Sequence, residues 1–436
     1  MGFDRLNIHE KVLIGGLTLS IIALPFSISI CHIGLIVIAI NWVIEGNWFI
    51  KWKLASQNYL VIFFAMYFCW LAVGVSYSDN IENAWFNVEK KFSFVLVPIV
   101  LVTSGLSAKH KHMLLMTFIL TCFVGTLICF GSAIHRIYYN SQLFTLNFGA
   151  IQPELLLSNP LFSNNWQHFS YVALASGIGI HPTYLSIYLI FCICLLIAQL
   201  INKTLNKYLI ISMITYFTIF LALLSTKIVV LAILLVCTAI ILMSLINSSI
   251  MRAKKTIITI SFVFLFMALT ALNPISLYRD FQEINSTHLI VEKNATYSNS
   301  TEIRFTLWWA GLKTVWTTNP IIGSGTGDTL LEISETLKTN NISNILNTSD
   351  PHNQFIYTYI STGLIGLILL LGCLLSPLRD AWRTKNLLHI VFIALVLLAS
   401  STESFLESQK GIMFFVLFQF ILYINPWSST KKLSIQ

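Results

Sequence analysis

Apolar residues come in long runs along nearly the whole chain. Short polar connections separate most of the runs, and two long polar segments, 135–180 and 273–354, interrupt the series. A helix crosses a bilayer when it carries roughly 17–25 largely apolar residues. On that measure the pattern predicts about twelve spans, near 12–28, 30–46, 58–76, 92–106, 113–134, 181–200, 208–224, 226–247, 256–273, 355–377, 386–402 and 411–426. A membrane barrel would show alternating segments of about ten residues instead. The expected fold is therefore all-α: a polytopic integral membrane protein with a large external loop between the ninth and tenth spans. The first run lacks a small-residue cleavage site followed by a soluble domain and reads as a span, not a removed signal.

Composition agrees. The chain is 56% hydrophobic and only 10% charged, against roughly 25% charged residues in soluble domains. The net charge of +8 would suggest nucleic acid in a soluble protein. Here the cations sit in short loops between apolar runs: Lys51 and Lys53, Lys109 and Lys111, Lys203 and Lys207, Arg252 with Lys254 and Lys255, then Arg379, Arg383 and Lys385. In the twelve-span arrangement these, with Arg5, Lys11, Lys431 and Lys432 near the ends, fall on one side. The positive-inside rule makes that side the cytoplasm and places both termini there. No nucleic-acid partner is expected, and membrane lipids are the surroundings. The long segments 135–180 and 273–354 then lie outside, dividing the chain into a membrane domain 1–272, a loop subdomain 273–354 and a membrane domain 355–436.

The eight cysteines lie in or beside apolar runs without C-x-x-C spacing. They read as small buried hydrophobes, not as a disulfide framework or zinc site. In the loop subdomain, "RFTLWWAGLKTVW" has apolar residues at helical spacing. The triplet Asn285-Ser286-Thr287 is of the kind an Asn/Ser/Thr-rich loop produces by chance.

Three features on the outer side carry chemical promise. His352, followed by Asn353, stands at the mouth of the span that starts near Phe355. Arg304 opens the Trp-rich loop segment. Lys227 lies in "LLSTKIVVLAILL", at a junction of two spans with almost no loop. A cation there pairs, snorkels or lines a polar cavity. Each has an ordinary alternative: a capping histidine, a solvated arginine, a snorkelling lysine. "PIIGSGTGD", Pro320 to Asp328, is spaced G-x-G-x-G and lacks the strand-to-helix setting of a nucleotide loop, so it reads as a tight turn. No D-x-D pair is present; no metal and no cofactor are expected.

Taken in order, several segments resemble the O-antigen ligase and polymerase superfamily of bacterial membrane glycosyltransferases. They are "VEKKFSFVLVPIVL" (Val88 to Leu101), "HPTYLSIYL" (His181 to Leu189), "LLSTKIVVLA" (Leu223 to Ala232), "RFTLWWAGLKTVWTTNPIIGSGTGD" (Arg304 to Asp328), "HNQFIYTYISTGLIG" (His352 to Gly366) and "TESFLESQKGIMFF" (Thr402 to Phe415). The resemblance covers most of the chain. It implies an active site on the periplasmic face of the inner membrane and a donor glycan on undecaprenyl diphosphate. The acceptor is a sugar hydroxyl, of lipid A–core for a ligase or of another lipid-linked repeat unit for a polymerase.

By that resemblance His352 is the base and Arg304 the loop arginine that binds diphosphate. Lys227 stands where arginine is usual; it keeps the charge but not the bidentate fork. Asp350 and Asn353 are candidates to orient the histidine ring. Without a metal, positioned cations take up the leaving-group charge, and a histidine suits proton removal near neutral pH. A transporter is the reading from another class, disfavoured by the scarcity of ionisable residues inside the spans.

Overall fold

Asparagine sets where many of the helices begin. Asn58, Asn80, Asn206, Asn353 and Asn386 each accept a backbone N–H from the first turn of the helix that follows. This is the favoured N-cap arrangement, worth typically ~1 kcal/mol per helix. The computed structural model describes residues 8–139, 168–202, 206–226, 228–229, 232, 300–342, 345 and 350–423. Among them every regular element is helical. In chain order they are α1 (Ile8–Ala23), α2 (Ile28–Ile44), α3 (Trp48–Ser56), α4 (Tyr59–Val75), α5 (Ile81–Lys90), α6 (Ser93–Ser104), α7 (Ala108–Tyr139) and α8 (Tyr171–Ala175). There follow α9 (Pro182–Asn202), α10 (Lys207–Leu224), α11 (Ser300–Thr317), α12 (Thr329–Thr339), α13 (Gln354–Arg383), α14 (Leu387–Thr402) and α15 (Gln409–Tyr423).

Four described helices are long and apolar enough to cross a membrane: Ala108–Tyr138, Pro182–Leu200, Lys207–Leu224 and Gln354–Arg383. A fifth span arises if α2 and α3, bent by 118° at their junction, count as one. Tyr59–Val75, Leu387–Thr402 and Gln409–Tyr423 are apolar but shorter. The run near 92–106 forms only the 12 residues of α6, about 18 Å at 1.5 Å per residue. The spans expected at 226–247 and 256–273 lie almost wholly outside the described residues, as does Lys227.

Two short helices appear where the sequence suggested loops. α3 exposes Trp48, Phe49, Ile50 and Trp52, and α5 exposes Ile81, Trp85 and Phe86. Lys51 on α3 is not a free loop cation. It is 5% exposed, bonds the Trp42 carbonyl at 2.6 Å and pairs with Glu45 at 2.9 Å. Of the described cysteines, all are free and Cys69 alone is exposed.

The chain packs as two units. One comprises Ile14–Val37 and Lys109–Asp280. In it α7 meets α9 and α10 through aromatic pairs such as Phe118–Tyr188, Phe123–Tyr216 and Phe130–Phe220. Arg136, buried on α7, donates to the hydroxyls of Ser132 and Ser176.

The other unit comprises Met1–Leu13, Ile38–Ala108 and Phe281–Gln436. Phe64 of α4, Phe94 of α6 and Phe415 and Phe420 of α15 form its aromatic centre, with ring centroids 5.1–5.6 Å from Phe64. The loop helices belong to this unit. Leu307, Ala310 and Val315 of α11 pack with Ile333 and Leu337 of α12 and Ile360 of α13. Fully burying one such leucine or isoleucine contributes about 1.5–3 kcal/mol. The apolar stripe of the Trp-rich segment thus fastens Arg304's helix to the helix that His352 precedes.

Candidate functional site

α13 is broken at Gly363, whose φ of 65° and ψ of −166° lie in a region essentially reserved for glycine. The break frees backbone groups that must find partners inside a protein. The segment "PIIGSGTGD" supplies them. Ser324 and Gly325 donate their N–H groups to the carbonyls of Ile360 and Ser361 at 2.8 and 3.0 Å. In return Leu364 and Ile365 donate to the carbonyls of Pro320 and Ile321 at 2.9 and 3.3 Å. The Trp70 indole donates to the Thr362 carbonyl at 2.9 Å. The segment is a tight turn, as its glycine spacing suggested, and it wedges into the helix break.

Its far end is fixed to the start of α5. The Asp328 carboxylate accepts the N–H groups of Asp79 and Asn80 at 2.9 and 2.8 Å. The Asn83 and Asn87 amides donate to the carbonyls of Gly327 and Thr326.

On this frame Arg304 and His352 come together, and what joins them is Glu403, the C-cap of α14. His352 Nδ1 lies 2.8 Å from Glu403 Oε2. Arg304 Nη2 donates to Glu403 Oε1 at 2.8 Å, and Nη1 to the Thr402 carbonyl at 2.7 Å. The carboxylate side chain is only 10% exposed, whereas those of Arg304 and His352 are 36% and 33% exposed. The acid is thus a buried strut, with the guanidinium and the imidazole it joins turned partly outward.

Guanidinium offers five N–H donors, so Arg304 keeps donors for a ligand after meeting Glu403 and Thr402. His352 Nε2 makes no hydrogen bond among the described residues, leaving that nitrogen to accept a proton. Among the described residues no three His, Cys, Asp or Glu side chains gather as a metal site would need.

Several bonds hold the histidine. Its φ of 47° is left-handed, a conformation of order 1–3 kcal/mol above the ordinary for a non-glycine residue. The Asp350 carboxylate accepts the His352 N–H at 2.9 Å and the Ser404 hydroxyl as well. Trp308 of α11 donates to the Pro351 carbonyl at 2.8 Å. Asn353 caps α13 through Phe355 and Ile356 N–H, and its amide donates to the Ser401 carbonyl at 3.1 Å. Asp350 and Asn353 therefore position the backbone around His352, while Glu403 contacts the ring.

Burial by itself pulls the His352 pKa down. The hydrogen bond and charge of Glu403, with the charge of Asp350, outweigh burial and the opposing charge of Arg304. The net displacement is upward from the ordinary value.

A second ionic cluster lies beside the first. Lys91, its side chain 2% exposed, pairs with Glu407 at 2.6 Å. Gln354 donates to Glu407 at 2.9 Å, and its carbonyl oxygen accepts the Leu406 N–H at 2.7 Å. Tyr67, Asn87, Thr358 and this ion pair line a cavity of about 10 Å³, the size of one water. The cluster fixes the short 3₁₀ turn Phe405–Glu407, one residue beyond Glu403, against the first residue of α13.

Arg304, His352, Asp350 and Asn353 stand out in the sequence, whereas Glu403, Glu407 and Lys91 join the site only through the fold. The available signal was "TESFLES", two carboxylates four residues apart beside apolar runs in a chain with only 18 acidic residues.

Comparison with known proteins bears out the resemblance to the O-antigen ligase superfamily. Residues 190–371 match the family model described as O-antigen ligase. That range contains Lys227, Arg304 and His352, and ends before Glu403. No curated protein matches the chain.

Proposed function

We propose that this chain is a membrane glycosyltransferase that moves a glycan from undecaprenyl diphosphate to a sugar hydroxyl of lipid A–core, at the periplasmic face of the inner membrane. In this reading the segment 273–354 is the external subdomain over the site. The observation that carries the proposal is the Arg304–Glu403–His352 constellation, with Nδ1 engaged and Nε2 free. The family match supports ligase- or polymerase-type transfer; the choice of ligase and of acceptor is our reading.

The acceptor hydroxyl is a weak nucleophile until its proton has somewhere to go. His352 Nε2 takes that proton as the oxygen attacks the anomeric carbon. The carbon–oxygen bond to the diphosphate breaks, and its electron pair leaves with undecaprenyl diphosphate. A single displacement inverts the anomeric centre. Arg304, through the donors not spent on Glu403 and Thr402, holds the diphosphate and takes up its growing charge in surroundings poorer in water than the bulk. Lys227 adds a point charge to the same phosphates. Glu403 stabilises the imidazolium formed when Nε2 is protonated.

Deleting the gene tests the assignment. A ligase mutant loses all O-antigen from lipopolysaccharide while lipid-linked polymer accumulates. A mutant whose core still carries a single repeat unit is a polymerase mutant, and that pattern would overturn the choice.

A further inference from the structure

The candidate site occupies only the N-terminal end of α13. At the other end, Arg379 and Arg383 stand four residues apart and so share one face of the helix. Both are exposed, and Trp382 between them is 73% exposed. Neither guanidinium bonds or pairs with another described residue. The adjacent carboxylate does not neutralise them: Asp380 accepts the Tyr59 hydroxyl of α4 at 2.7 Å. Beside the arginines lies an open groove of about 560 Å³, lined by Leu378, Arg379, Trp382 and Arg383 of α13 and by Ile390 of α14.

We propose that this groove binds one anionic phospholipid, its phosphate on Arg379 and Arg383 and an acyl chain along Leu378 and Ile390. The two chemistries are complementary. The groove offers apolar walls and two charge-bearing forks at one edge, and a phospholipid offers an acyl chain and a phosphodiester in that order. Basic pockets between membrane helices hold anionic headgroups. Tryptophan favours the headgroup level, which is where Trp382 would lie. Cations that served only to orient the chain in the membrane would need neither a groove nor guanidinium geometry, since lysine serves that purpose equally. The arginine fork matches the paired oxygens of a phosphate, which a lysine ammonium does not.

The test uses the full-length protein, purified in detergent and titrated with phosphatidylglycerol or phosphatidylcholine, with bound lipid counted by native mass spectrometry. The wild type is expected to prefer phosphatidylglycerol. An Arg379→Gln/Arg383→Gln variant should bind it about 30-fold more weakly, from two basic residues lost near the phosphate. An Arg379→Lys/Arg383→Lys variant keeps both charges, and so keeps insertion intact, but should bind less tightly than wild type. Equal binding of the two lipids by the wild type would overturn the proposal, as would undiminished binding by both variants. Displacement of the lipid by inorganic phosphate at equal concentration would mark a free-anion site and overturn it too.

Discussion

Replacing Glu403 with glutamine keeps the side-chain volume and removes the charge shared by Arg304 and His352. The His352 ring then loses a 2.8 Å charge-assisted bond, and Arg304 loses its 2.8 Å ionic partner. A hydrogen bond to a charged group contributes about 1.5–3 kcal/mol. If the bond to His352 reaches full strength only as the imidazolium forms, the rate should fall roughly 10- to 150-fold. The loss should not exceed that of His352→Ala, which removes the base itself. In the double variant Glu403→Gln/His352→Ala the glutamine should cost less than it does alone, because its effect through the ring is already lost and only its effect on Arg304 remains. The pH profile supplies an independent check. Glu403 raises the His352 pKa, so its removal lowers it, and the acid limb of the activity profile should move to lower pH. The assay is transfer from a purified lipid-linked glycan donor to lipid A–core by protein reconstituted in vesicles. A glutamine variant with wild-type rate and an unmoved acid limb would show that Glu403 does not tune His352.

His352→Ala and Arg304→Ala should each abolish transfer while the protein remains in the membrane; Lys227→Arg should retain activity and Lys227→Ala lose most of it, measured in the same assay. Gly363→Ala places a methyl against the Ile321 carbonyl at a backbone angle other residues avoid. It should cost at least the 1–3 kcal/mol typical of such strain, read as a lower thermal midpoint in detergent. Lys91→Met leaves Glu407 largely buried without its cation and should destabilise by roughly 3–5 kcal/mol, with Lys91→Met/Glu407→Leu recovering most of the loss. Because the His352 pKa is raised in the folded protein, its protonation stabilises the fold fully below its unfolded pKa of about 6.5. That contribution disappears as pH rises through the higher folded value, so the thermal-midpoint gap between wild type and His352→Gln should narrow with rising pH.

His352 and Arg304 were legible because local rules govern both. An Asn-capped helix entrance and an apolar stripe at helical spacing can be read from neighbouring residues. Glu403 obeys no such rule. It joins partners 99 and 51 residues away, and in sequence it resembles any acid between two membrane helices. Lys91 sits in a "KK" pair that carries no local sign of burial, and only the fold buries it against Glu407. The Gly363 break was invisible for another reason: hydropathy averages over a run and carries no information about φ. The turn segment's fixed spacing of glycines was legible as a turn, but its partner was not, since the unpaired groups it satisfies exist only once α13 breaks. α3 and α5 escaped because they are too short to register as runs.

One carboxylate serves both Arg304 and His352, and this makes the two halves of the site interdependent. The Arg304 charge opposes protonation of His352. An anion that settles on Arg304 offsets that opposition and leaves Glu403 freer to attend to the imidazole. Filling the anion side therefore strengthens proton affinity on the histidine side. By thermodynamic reciprocity, a protonated His352 tightens the hold on the anion by the same factor. An empty site would keep its histidine less basic, and a loaded one would sharpen it. Such wiring favours proton removal after the lipid-linked partner has arrived, without requiring any part of the backbone to move.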